Sequence, residues 1–203
     1  MFRGEDLACV RGERAVFRGL GFALAPGEAI VLVGPNGAGK SSLLRLVAGL
    51  IPIAAGRLLW NGDPVADDPD AHRDRLVYAG HLDALKPAFT LAENLGFWAA
   101  TMGAGEGAVA DALARFGLGG LADLPARFLS AGQRRRLGLA RLALTRRPLW
   151  LLDEPSVSLD VASVARLADL VAEHRAAGGM VMAASHVDLG LGDARVLDLK
   201  AAR

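Results

Sequence analysis

The sequence predicts an α/β fold: a parallel sheet with helices on both faces, an antiparallel β edge ahead of it, and a helical lobe inserted within it. Three observations predict this. Ala29-Ile30-Val31-Leu32-Val33 is a short apolar, β-branched run that leads into the glycine-rich turn Gly34–Ser42, and the residues from Ser42 to Ala48 have helical spacing that stops at Gly49. Two further apolar runs, Leu149–Leu152 and Met180–Ala184, flank a helix-spaced stretch from Val161 to Ala176. Such runs suit strands buried on both faces, and strand–helix alternation implies a parallel sheet. Between them, from about His81 to Arg146, helical patterns occur without strands.

Ahead of the first buried strand, Leu7–Val10, Ala15–Phe17 and Gly21–Ala25 are short apolar pieces broken by Arg11-Gly12-Glu13 and Pro26-Gly27. They read as antiparallel strands. Gly56–Trp60 then meets Asn61-Gly62, a hairpin signal because both residues tolerate the positive φ of a tight turn. A polar stretch with Asp67, Asp68, Pro69 and Asp70 predicts a loop and short helix before the strand Leu76–Ala79. Thr90-Leu91-Ala92-Glu93 is a capping box that opens a helix to about Met102 and Gly103, and a second helical segment, Ala108 to Phe116, stops at Gly117. Ser130 and Gln133 make another capping box, for a helix through Leu144, and Arg195–Leu199 offers a last strand. The expected organisation is a single domain, its core lobe at about 1–80 and 147–203 and its inserted helical lobe at about 81–146.

With 203 residues, 52% of them hydrophobic and 22% charged, the chain can bury a sizeable core and is not disordered. Its 23 Lys+Arg against 22 Asp+Glu leave a formal net charge of +1, so no basic field draws it to nucleic acid. Cys9 is the single cysteine, which excludes a disulfide framework and a cysteine metal site and suits a reducing compartment. Met1–Asp6 lacks a signal-peptide apolar core, and no apolar run is long enough to cross a bilayer. Any membrane role is expected to come through a partner.

Gly34-Pro35-Asn36-Gly37-Ala38-Gly39-Lys40-Ser41-Ser42 fits G-x-x-x-x-G-K-[ST] in the strand–turn–helix context that gives the pattern a mechanism. Its glycines let consecutive N–H groups converge on phosphate oxygens, and the helix start adds partial positive charge. Lys40 is placed to reach β- and γ-phosphates and Ser41 to ligate Mg²⁺. The chain therefore reads as a nucleotide binder with ATP and Mg²⁺ as its expected cofactors. Leu149–Leu152 ends in Asp153-Glu154, and two acids closing a buried strand are costly unless a cation and a reaction use them. Asp153 is read as a second Mg²⁺ ligand and Glu154 as the group that polarises the attacking water; the plainer alternative is a solvated acidic turn before Pro155. Ser130-Ala131-Gly132-Gln133 serves as a helix cap, and the same geometry suits a γ-phosphate. Gly34, His81, Asp153–Glu154 and His186 each follow directly on a predicted strand, and ligands of open parallel sheets bind beyond the strands' carboxyl ends. They are expected to share one edge. Arg134-Arg135-Arg136 has no aromatic stacking platform beside it and reads as a solvated helix face.

The phosphate loop, Leu129-Ser130-Ala131-Gly132-Gln133, Leu152-Asp153-Glu154-Pro155, Ser158-Leu159-Asp160 and Ser185-His186 come in the order, and at about the spacing, of ATP-binding cassette (ABC) ATPases. The resemblance spans essentially the whole chain and implies a phosphate-loop nucleotide hydrolase core, RecA-like, of the ABC nucleotide-binding type. It also implies two cassettes head to tail, each ATP held between one phosphate loop and the other chain's Ser130–Gln133. Asp160 would lie at the dimer seam, and Lys40, Glu154 and His186 would be catalytic. Three departures stand out. His81 occupies the place of a glutamine that couples ATP chemistry to the membrane partner, and a histidine there would add pH sensitivity. By spacing, the usual aromatic that stacks on adenine falls at Arg11, whose planar guanidinium can also stack. Ala131 replaces a glycine, which is tolerable if its φ is negative.

Gly80–Leu95 and Leu124–Arg136 look closely like the CcmA family, the ATP-binding subunits of bacterial c-type cytochrome maturation. This resemblance implies a homodimer of the ATPase subunit on an integral membrane subunit of CcmB type, peripheral to the cytoplasmic side of the inner membrane. There, ATP hydrolysis serves haem handling or release of the haem-loaded chaperone. No C-x-x-C-H occurs, and direct haem binding is not expected. Another small ABC exporter is the alternative. A soluble cassette acting on nucleic acid or ribosomes fits less well, because coiled-coil heptads and a second cassette copy are both missing from this sequence.

Overall fold

The computed structural model describes residues 1–185, 187 and 189–200; His186 lies outside them. Two sheets form. The first is antiparallel, in the order β2-β1-β4-β5, from β1 (Phe2–Arg11), β2 (Arg14–Leu24), β4 (Ala55–Trp60) and the short β5 (Asp63–Pro64). The second is parallel throughout, in the order β6-β7-β8-β3-β9, from β3 (Ala29–Val33), β6 (Leu76–Ala79), β7 (Leu149–Asp153), β8 (Met180–Ala184) and β9 (Arg195–Asp198). The helices are α1 (Lys40–Val47), α2 (Pro69–Asp74), α3 (Leu91–Met102), α4 (Ala108–Arg115), α5 (Ala131–Ala140) and α6 (Val161–Ala176).

Each strand of the parallel sheet except the exposed edge strand β9 divides its side chains between two cores, as a period of two requires. Leu149 and Leu151 of β7 point into a core shared with α1 (Leu43, Leu44, Leu46, Val47) and the antiparallel sheet (Phe2, Leu7, Leu24, Leu58). Trp150 and Leu152 point the other way, against α6 (Leu167, Leu170, Val171) and the helical segment (Leu91, Leu95, Leu113, Leu137). Every residue of β7 and β8 is buried, which is why these strands read as unbroken apolar runs rather than alternating ones. The acid at the end of β7, Asp153, is buried with them.

Several expectations of local structure are met closely. Asn61 (φ 53°) and Gly62 (φ 106°) both take the left-handed conformation in the β4–β5 turn. Both capping boxes form: Thr90 accepts from the Glu93 N–H at 3.1 Å and Ser130 from the Gln133 N–H at 3.2 Å, with the returning side-chain bonds at 2.8 Å in each. Two expectations are corrected. The early apolar pieces belong to two long strands, because β-bulges around Glu5–Cys9 break the alternation without ending the pairing. The helix from Ser130 tightens into a 3₁₀ turn at Arg141–Leu144 instead of continuing as α-helix.

Candidate nucleotide site

Because β3, β6, β7 and β8 are parallel neighbours, the segments after Val33, Ala79, Asp153 and Ala184 open on one edge of the sheet. Gly34, Gly80-His81, Glu154 and Ser185 follow those strand ends directly. The shared edge foreseen from sequence therefore forms for the described members of the set.

The loop from Gly34 to Gly39 curls through left-handed glycines at Gly34 (φ 140°), Gly37 (79°) and Gly39 (107°). At Gly39 a Cβ would stand 2.6 Å from the Val16 side chain, so β2 lies directly over the loop and only glycine fits. No side chain caps α1, which starts at Gly39 and has no acid in its first turn. Its first N–H groups are thereby left for an anion. Lys40 is 8% exposed and its Nζ donates to the carbonyls of Gly34 (2.7 Å) and Pro35 (3.4 Å), holding the ammonium along the loop.

Ser41 Oγ donates to Asp153 Oδ1 at 2.8 Å, across 112 residues of sequence. The second carboxylate oxygen accepts from the Tyr78 hydroxyl at 3.2 Å, and Arg45 Nε donates to that hydroxyl at 3.4 Å. Burial pushes the Tyr78 phenol up, keeping it a neutral donor, while its bond from Arg45 works against that. A hydroxyl and a buried carboxylate side by side form an all-oxygen donor pair, which suits a hard divalent cation completed by water and phosphate. Among the described residues no cluster of three or more His, Cys, Asp or Glu forms an all-protein metal cage. A cleft of about 390 Å³ brings the loop residues Pro35–Ser42 together with Glu154 and Val16. Glu154 itself has φ 48°, unusual for a residue with a Cβ, and its N–H donates to the Ala184 carbonyl at 2.8 Å.

Among the described residues, the foreseen ones outside the phosphate loop and its acids lie outside that cleft. Ser130 and Ala131 are exposed at the start of α5, with Gly132 and Gln133 half-buried. Ala131 has negative φ, the condition under which alanine serves in place of glycine. Gly132 is needed: a Cβ there would meet the Ser158 carbonyl at 2.9 Å. Asp160 caps α6, accepting from the Ser163 N–H at 2.7 Å; hydrogen bonding from the Ser163 side chain first, and from that N–H second, holds its carboxyl below the usual range. His81 is exposed after β6. Arg11 sits at the exposed β1–β2 hairpin opposite Arg14, and the cleft of about 640 Å³ beside Gly37 is lined by Arg14–Arg18 instead. Of the arginine cluster, only Arg134 is exposed as a solvated face requires. Arg135 is 5% exposed and Arg136 donates to the Phe116 carbonyl at 3.0 Å, so this reading is corrected. Tyr78, Arg45 and Arg135 carried no sequence signal, since their roles depend on groups supplied by other elements.

A phosphate-type loop over an uncapped helix, a buried Ser–Asp pair and a projecting capped helix together define an ATP-binding cassette. Residues 17–157 match the family model described as ABC transporter, and the chain belongs to that family. Its relatives include the cytochrome c biogenesis ATP-binding export proteins CcmA of Rhodospirillum rubrum and Paramagnetospirillum magneticum. The first is 60% identical over 98% of this chain and 85% of its own length, and the second is 55% identical over 98% and 93%. The chain is thus an ABC ATP-binding subunit close to CcmA. A solved dimeric ATP-binding cassette in a post-hydrolysis state with ADP and Pi has the same fold, with TM-score 0.84 at 22% identity over 98% of this chain and 94% of that one.

Proposed function

We propose that this chain is the ATP-hydrolysing subunit of an ABC complex for c-type cytochrome biogenesis, working as a homodimer on an integral membrane partner of CcmB type. The observation that carries the ATPase reading is the direct Ser41–Asp153 bond behind a cleft lined by the phosphate loop and Glu154. The role in cytochrome biogenesis rests on the two CcmA relatives. Among the described residues no helix is long and apolar enough to cross a membrane, so attachment to the cytoplasmic side of the inner membrane is assigned to the partner.

The loop amides and Lys40 bind the β- and γ-phosphates, and Lys40 exchanges its loop carbonyls for phosphate oxygens as it does so. Ser41 and Asp153 would hold Mg²⁺, which would supply charge neutralisation for the phosphates. Glu154 orients and polarises the attacking water, and His186 is assigned to the γ-phosphate. Val16, flanked by Arg14 and Arg18, supplies the surface against which adenine rests, with Arg11 as a further stacking group from the hairpin. Ser130–Gln133 closes over the partner chain's nucleotide, Asp160 lies at the seam, and His81 relays closure to the membrane partner. The two lobes, about 1–80 with 147–203 and about 81–146, move against each other in that step.

The test is ATP hydrolysis by the complex purified from membranes through this chain. A multispanning partner and Mg²⁺-dependent phosphate release are expected. Recovery of ribosomes or DNA without a multispanning protein would overturn the transporter assignment.

A further inference from the structure

We propose that Arg135 is a positioning residue: it ties the helix that presents Ser130–Gln133 to the backbone that carries Glu154, so movement of α5 is transmitted to the hydrolysing edge of the chain's own cleft. This rests on the reading of that cleft as an ATP site. Arg135 lies five residues along α5 from Ser130, with a side chain 6% exposed. Its Nη2 donates to the carbonyls of Asp153 (3.2 Å) and Glu154 (2.7 Å), and its Nε to that of Pro155 (3.1 Å). Its Nη1 donates to the Gly80 carbonyl at 2.8 Å and pairs with Asp83 at 3.0 Å. A guanidinium offers its N–H groups in one rigid plane. One side chain thus fixes three consecutive carbonyls from the last residue of β7 onward and the first carbonyl after β6.

Those bonds surround a strained place. Glu154 has φ 48°, and a residue with a Cβ stays in the left-handed region only where its surroundings hold it there. Its N–H is pinned to the end of β8 by the Ala184 carbonyl and its C=O to α5 by Arg135. Releasing the carbonyl side lets the turn relax and carries the carboxylate with it. Two close approaches make α5 and these segments one unit. A Cβ on Gly132 would meet Ser158 O at 2.9 Å, and one on Gly138 would meet Asp83 at 3.0 Å.

The electrostatics point the same way. Arg135 has one carboxylate partner, Asp83, and a second buried guanidinium beside it: Arg141 is pushed down to about 10, by burial first and then by the charge of Arg135. Buried cations arranged like this are costly where apolar packing could serve. The one helix therefore touches two places, its exposed N-terminus facing outward and Arg135 gripping the Glu154 turn. In a head-to-tail dimer, engagement at one nucleotide sets the carboxylate geometry at the other.

The test compares wild-type complex with Arg135→Lys, whose single ammonium cannot span the four carbonyls. The expected result is a fall in kcat of about tenfold or more, with the Kd of a fluorescent ATP analogue within about twofold of wild type. A folded variant with wild-type kcat, or one losing kcat and affinity together, overturns the proposal. Should that variant fail to fold, Asp83→Asn decides: lowered kcat at unchanged affinity supports the link, and unchanged kcat overturns it. Wild-type complex without any ATP hydrolysis would instead remove the ATPase reading, so the two failures are distinct.

Discussion

Helices α1 and α5 carry the two proposed halves of the nucleotide site, and their starts are built in opposite ways. α1 opens at a left-handed glycine with no side-chain cap, under β2, with a buried lysine as its first residue. Its ligand position is completed inside the chain, because Ser41 meets Asp153 from β7. α5 opens with a reciprocal capping box that uses the N–H groups of Ser130 and Gln133 and leaves those of Ala131 and Gly132 outside its two bonds. It projects to solvent, and no residue from 130 to 133 lines the cleft that holds Glu154. One helix start is finished by its own chain; in the proposed dimer the other meets a second molecule.

The largest expected effect breaks the α1 side. Lys40→Ala or Asp153→Asn should lower kcat for ATP hydrolysis by roughly 100-fold or more, read as phosphate release, because the first removes the cation proposed at the phosphates and the second the carboxylate that would hold Mg²⁺. Ala131→Glu should break only the α5 side, since Ala131 is exposed at the helix start and the change places a carboxylate where the partner chain's phosphates would lie. Hydrolysis in the complex should fall by about tenfold or more while ATP binding to the isolated chain stays within about twofold. Equal loss of binding would erase the distinction between the helices. A smaller change is expected for Tyr78→Phe, which removes the second hydrogen bond to Asp153. One such bond is worth about 1 kcal/mol, so the Mg²⁺ requirement should rise about fivefold.

The smallest effect lies away from both helix starts. His72 accepts from Trp60 Nε1 at 2.9 Å, and His174 stacks on Trp150 at 3.8 Å. Burial lowers both, His174 to about 4. The fold favours neutral imidazoles, whereas the unfolded chain takes up protons as pH falls through about 6.5. Their contribution is present above that value and is lost as pH falls toward 4. Thermal midpoints measured from pH 7 to 4.5 should decline, and His174→Gln should flatten the decline. A variant as steep as wild type would remove His174 from the account.

The strands β3, β6 and β8 could be placed to the residue from sequence because burial on both faces makes them short, unbroken apolar runs. The loop and both capping boxes were legible for a related reason: their bonds close within a few residues. What stayed hidden is non-local. Arg135 reads as one of three charges on a helix, and only the fold brings Gly80 and Asp153–Pro155 within its reach. Tyr78 reads as a strand aromatic until β6 lies beside β7. Arg11 matches the spacing of a stacking residue, and only the fold shows that Arg14–Arg18 line the cleft beside Gly37.

The half-site account is tested most directly by mixing two impaired chains, Lys40→Ala and Ala131→Glu. Each homodimer lacks one half at both nucleotides. With random pairing, half of the dimers are mixed, and each mixed dimer has one intact loop facing one intact α5. The account predicts that coexpression restores about a quarter of wild-type hydrolysis. Hydrolysis no higher than either variant alone, with both chains folded and assembled together, would contradict it.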